Sequence, residues 1–108
     1  MAKLKDLSQM EHSATSIYIS LLPDIESIKN ESISDKEKME KIILLVVSKL
    51  CKARNESLDE NNVQISQDYI VRVRQTLSRQ KNVRQIEEYI NNAIEKGKNY
   101  KEPEEGEN

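Results

Sequence analysis

Phenylalanine and tryptophan are absent from this 108-residue chain, which holds only two glycines, two prolines, one histidine and one cysteine. Each scarcity excludes something. Two glycines and two prolines cannot serve the many tight turns of an all-β sandwich. They also rule out the familiar glycine-rich phosphate cradles, and no GxGxxG, GxxxxGKS/T or GxSxG occurs. A single cysteine, Cys51, cannot form an intramolecular disulfide. The N-terminal MAKLKDLSQM lacks the apolar centre of a signal peptide. The expectation is a cytoplasmic protein in a reducing compartment. The longest apolar run, Ile42 to Val47, has six residues, against the roughly 20 that span a bilayer, so no membrane association is expected.

What is present points to helices. Nineteen acids and 17 bases give a net charge of −2, and one third of the residues are charged. Ile, Leu and Val make up 27 of the 108 residues, a share above the roughly 20% below which chains stay disordered. The length fits one domain. Its core must be aliphatic, with each fully buried side chain contributing about 1.5–3 kcal/mol. That leaves little surplus at this size, so burial against a partner or a second copy would help.

The spacing predicts a first helix from about Lys3 to Leu22. Leu7, Met10, Ala14, Ile17 and Leu21 share one face, widened by Leu4 and Tyr18. Pro23 either kinks a long helix or starts a short extra one through Ile25 and Ile28, and a break or kink near Leu22 is favoured. Ser34-Asp35-Lys36-Glu37 fits a capping box, opening a helix that runs to about Arg54. Met39, Ile43, Val46 and Leu50 form its stripe. Ile42, Leu44, Leu45 and Val47 make its middle apolar on nearly all sides, as in a central helix covered by several neighbours. Asn55 to Gln64 reads as a polar loop pinned by Leu58 and Val63. Ser66 is the expected N-cap of a third helix, with Ile65 and Ile70 at the positions of a hydrophobic staple and Ile70, Val73 and Leu77 facing inward. The series Val83, Ile86, Ile90, Ala93 and Ile94 points roughly 140° away from that face at 100° per residue. A turn around Gln80 to Asn82, with Asn82 as a new N-cap, therefore separates two helices. Gly97 is the expected C-cap. The predicted architecture is an antiparallel four-helix bundle in one domain, residues 1–98, followed by a disordered acidic tail, residues 99–108.

Catalytic chemistry finds little support. His12 has no second histidine and no cysteine at metal-ligand spacing, so a conventional zinc site cannot be assembled; an exposed helix histidine is expected. Cys51 follows Leu50 on the most apolar helix and reads as a small hydrophobe. An EF-hand loop starting at Asp59 would need glycine and glutamate where Gln64 and Ile70 stand. No cofactor, metal or small-molecule substrate is evident.

Charge is distributed unevenly. From Tyr69 to Ile86 the chain carries Arg72, Arg74, Arg79, Lys81 and Arg84 and no acid, a local charge of +5. These five are the candidate contact residues. The leading expectation is a small non-enzymatic protein–protein interaction protein, an adaptor or accessory subunit or a homo-oligomer, binding through helix faces. The alternative is a nucleic-acid-binding module using the same bases on a helix–turn–helix. Against it, the fourth helix carries Glu87, Glu88 and Glu95, and aromatic stacking platforms are missing.

Overall fold

The computed structural model describes residues 7–59 and 65–100 and contains four helices: α1 (Leu7–Lys29), α2 (Asp35–Asp59), α3 (Gln67–Ser78) and α4 (Val83–Lys98). No strand occurs among the described residues. The helices form an antiparallel bundle. α1 packs most broadly against α4, and α2 lies against α1 and α3. The antiparallel sense of α1 and α4 is fixed at both ends. His12 Nδ1 donates to the Gly97 carbonyl at 2.8 Å near one end, and Lys29 pairs with Glu87 at 3.1 Å near the other. Glu87, and then Glu26, hold the Lys29 ammonium above its ordinary pKa.

Local chemistry sets the helix starts. The Glu37 amide donates to Ser34 Oγ at 3.2 Å, and the Tyr69 amide to Ser66 Oγ at 3.1 Å. Asn82 Oδ1 accepts from the Gln85 amide at 2.9 Å, and Gln85 Oε1 accepts in return from the Lys81 amide at 2.8 Å. Each cap satisfies an amide that has no partner within its helix. The turn expected around Gln80 to Asn82 is present, and Ile65 and Ile70 are both buried.

Four local expectations are corrected. First, no separate helix follows Pro23; α1 runs through it. Tyr18, Leu21 and Ile25 are buried on one stripe that crosses the proline, while Pro23 itself is exposed. The backbone hydrogen bond that Pro23 cannot donate is therefore missing on the water side, and packing holds the helix together. Ile17, expected at the centre of the inward face, is only half-buried, and Tyr18 takes that place. Second, α2 continues past Arg54 to Asp59. No glycine or proline interrupts residues 55–59, and Ser57 Oγ bonds back to the Ala53 carbonyl at 2.9 Å, leaving the ladder intact. Leu58 sits exposed on this extension and pins nothing; Val63 lies outside the described residues. Third, α2 is not covered all round. Ile42, Val46 and Leu50 are buried, but Leu44 is 68% exposed. Fourth, Gly97 lies inside α4, whose C-cap is Asn99 in an ordinary right-handed conformation. The tail expected to be disordered lies, from residue 101 onward, outside the described residues.

Gly97 serves instead as a notch. A Cβ there would meet Thr15 Oγ1 and lie 2.8 Å from the Glu11 carbonyl oxygen. Only a residue without a side chain lets α1 come this close. The Thr15 hydroxyl itself donates to the Glu11 carbonyl at 2.8 Å. His12 is exposed, as expected, but its ring is held by the Gly97 carbonyl and lies 5.2 Å, centroid to centroid, from Tyr100.

With no Phe or Trp available, tyrosine supplies the bulk at the centre. The Tyr18 and Tyr69 hydroxyls meet at 2.6 Å, both residues being buried. One hydroxyl donates and the other accepts, so neither oxygen is stranded. Burial pushes the Tyr18 phenol well up, with Tyr69 adding to the effect. Burial likewise raises Tyr69 and Tyr89. Ser66 Oγ also donates to Met10 Sδ at 3.5 Å, so the α3 cap touches α1 as well.

Two measurements follow from this packing. Gly97→Ala gains about 1 kcal/mol of helix propensity, yet the forced separation of α1 and α4 outweighs it, giving a net loss of about 1–3 kcal/mol in urea unfolding. Adding Thr15→Ala recovers only part, because the Glu11 carbonyl remains in the way; a Gly97→Ala chain as stable as the parent would remove the notch. Stability should also depend on alkali. Unfolded tyrosines ionise near their ordinary value of 10 while the buried phenols stay protonated. Above that pH the unfolded state binds fewer protons, so stability is fully present below pH 10 and falls above it, by up to about 1.4 kcal/mol per pH unit for each buried phenol. The fall becomes shallower in Tyr18→Phe/Tyr69→Phe; an unchanged slope would show that these two phenols do not cause it.

Candidate functional site

α3 buries Tyr69, Ile70, Val73 and Leu77. That phase turns the residues between them outward, and Arg72, Arg74, Arg79, Lys81 and Arg84 are all exposed. They do not form one cluster. Arg74 and Arg79 line a surface groove of about 410 Å³ together with Val71, Gln75 and Ser78. Arg74 and Ser78 continue into a second groove of about 500 Å³, completed from α2 by Glu40, Ile43, Leu44 and Val47. The two share Arg74 and Ser78: the second is a trough between α2 and α3, and the first adjoins it on α3 alone. Arg72 faces elsewhere, and its charge bears on Tyr89 of α4. Lys81 lies in the α3–α4 turn, and Arg84 pairs with Glu88 at 3.3 Å.

The floor of this trough is apolar. Leu44 is 68% exposed, with Ile43 and Val47 half-buried beside it, and Val71, 43% exposed, lines the adjoining groove. The charge above the floor is uncompensated. Among the described residues, ion pairs engage Lys29, Lys41 and Arg84, while Arg74 and Arg79 have no carboxylate within ion-pair distance. Glu40 is the acid in the lining. An arginine left in water beside a hydrophobic strip keeps its planar donor fork free for a carboxylate.

Charge along the sequence locates Arg74 and Arg79 but does not reveal the floor. Leu44 reads as core because its neighbours are all apolar, and Val71 because it follows Ile70. The available signal was phase: Leu44 lies two residues from both Ile42 and Val46, far round the helix from either. The apolar stripe of α1 is largely used inside the bundle by Met10, Ala14, Tyr18 and Leu21.

No group of three or more His, Cys, Asp and Glu able to hold a metal ion exists among the described residues, and no helix there is long and apolar enough to cross a membrane. Comparison with family models, curated proteins and solved structures finds no match for the chain.

Since Leu44 contributes little to the core, Leu44→Glu should leave the urea midpoint nearly unchanged, within about 0.5 kcal/mol. Ile42→Ala, two residues away and fully buried, should cost about 2–5 kcal/mol. Equal losses for the two would contradict the exposure of Leu44.

Proposed function

We propose that this chain is a small non-enzymatic interaction protein, an adaptor or accessory subunit, that engages another protein through the α2–α3 surface. The observation that supports it is the exposed Leu44 in mid-helix, in a groove bordered by Arg74, which has no carboxylate partner among the described residues. Burying such a leucine contributes about 1.5–3 kcal/mol, and docking charge-complementary residues on Arg74 and Arg79 adds specificity. The single cysteine fits a cytoplasmic location for this activity.

A second reading, nucleic-acid binding, draws on the exposure of Arg72, Arg74, Arg79, Lys81 and Arg84 over α3, the turn and the first turn of α4. It is weakened by Glu88, exposed and paired with Arg84, and by the burial of Tyr69, which leaves no stacking aromatic on α3.

The two readings separate experimentally. The interaction reading expects the purified chain to sediment as a homodimer, or the tagged chain to retain one specific protein from a lysate of its source cells. A monomer that retains nothing above background rejects it. The nucleic-acid reading expects salt-dependent mobility shifts, and no shift at low salt with both DNA and RNA rejects that.

A further inference from the structure

We infer that the trough between α2 and α3 is the seat of an acidic amphipathic helix contributed by a partner protein. The inference rests on the interaction reading and specifies its partner. Two packed helices present a groove that a third helix can fill with aliphatic residues at i, i+3 or i+4, and i+7. Here Ile43, Leu44 and Val47 supply the floor over about one turn of α2, and Val71 extends the apolar surface into the adjoining groove on α3. Arg74 borders both grooves and Arg79 the adjoining one, neither with a carboxylate partner among the described residues, and Glu40 is the one acid in either lining, so the two linings together are net positive.

Charge selects among occupants. A two-fold pairing of this face would set Arg74 and Arg79 against their own copies, with Glu40 the one acid in the linings, and like charges brought together oppose docking. Nucleic acid would use the arginines but leave Leu44 and Val71 in water. An acidic helix with an aliphatic seam satisfies both halves of the surface: its seam covers the strip, and its carboxylates reach the guanidinium groups.

The test uses the full chain and a synthetic helical peptide of about 15 residues, with leucines on one face and glutamates flanking them. Amide chemical shifts should move at Leu44, Val47, Val71 and Arg74 on titration. Arg74→Glu/Arg79→Glu should weaken binding at least tenfold, and the peptide with lysine in place of glutamate should then prefer the variant. Leu44→Glu, whose fold is checked by circular dichroism, should abolish binding. Failure of the acidic peptide to bind, or binding indifferent to the arginine reversal, overturns the inference. So does a concentration-dependent dimer lost in Leu44→Glu, which would make a second copy the occupant. A DNA shift lost in the arginine variant but kept in Leu44→Glu overturns it in favour of nucleic acid. A native partner that still binds both variants overturns it while leaving the interaction reading intact, whereas loss of every native partner removes that reading first.

Discussion

The close approach of α1 and α4 at Gly97 is the constraint from which the rest of the bundle follows. With no side chain at that position, the turn of α1 around Glu11 and Thr15 lies directly on α4. His12 holds this end through the Gly97 carbonyl, and Lys29 holds the other through Glu87. α1 is thereby fixed along its length, and its stripe presents Tyr18 to Tyr69 of α3. That hydroxyl pair draws α3 to the same core, and Ser66 adds its contact with Met10. α2 then packs on α1 and α3, and more lightly on α4, through its Ile42, Val46 and Leu50 side. The exposure of Leu44 is thus a result of how the other three helices are arranged.

Much of this architecture could be read residue by residue, and the failures have a common cause. Ser34, Ser66 and Asn82 were legible as caps because capping is local chemistry between neighbours in sequence. The break between α3 and α4 was legible because the apolar phase changes abruptly after Leu77. Pro23 misled because its local penalty was outweighed by the burial of Ile25 beyond it. Asn55 to Asp59 misled because polar residues without glycine or proline are as compatible with an exposed helix as with a loop. Gly97 was placed near the correct boundary but given the wrong task, since a close helix contact depends on Glu11 and Thr15, more than eighty residues away.

The candidate site divides the same way. Charge is written in the sequence, so all five bases could be named. Which of them share a surface is a matter of tertiary placement: Arg74 meets α2 and shares a groove on α3 with Arg79, whereas Arg84 is paired with Glu88 and Arg72 lies toward Tyr89. The net charge of −2 conceals this separation, because ion pairs join α1 to α4 and the connector residue Glu31 to Lys41 of α2, while among the described residues none engages Arg72, Arg74 or Arg79.

The six-residue run Ile42 to Val47 has a second physical identity. Its composition, uncharged, aliphatic and free of glycine and proline, is that of segments that stack into cross-β zippers when extended. The Ser34 cap and the packing of Ile42 and Val46 hold it helical, and Glu40-Lys41 and Lys49 flank it as charged gatekeepers. The strip proposed as a docking surface is therefore also a segment able to enter such zippers, and covering it in a complex would guard the fold against self-templated assembly whenever α2 frays.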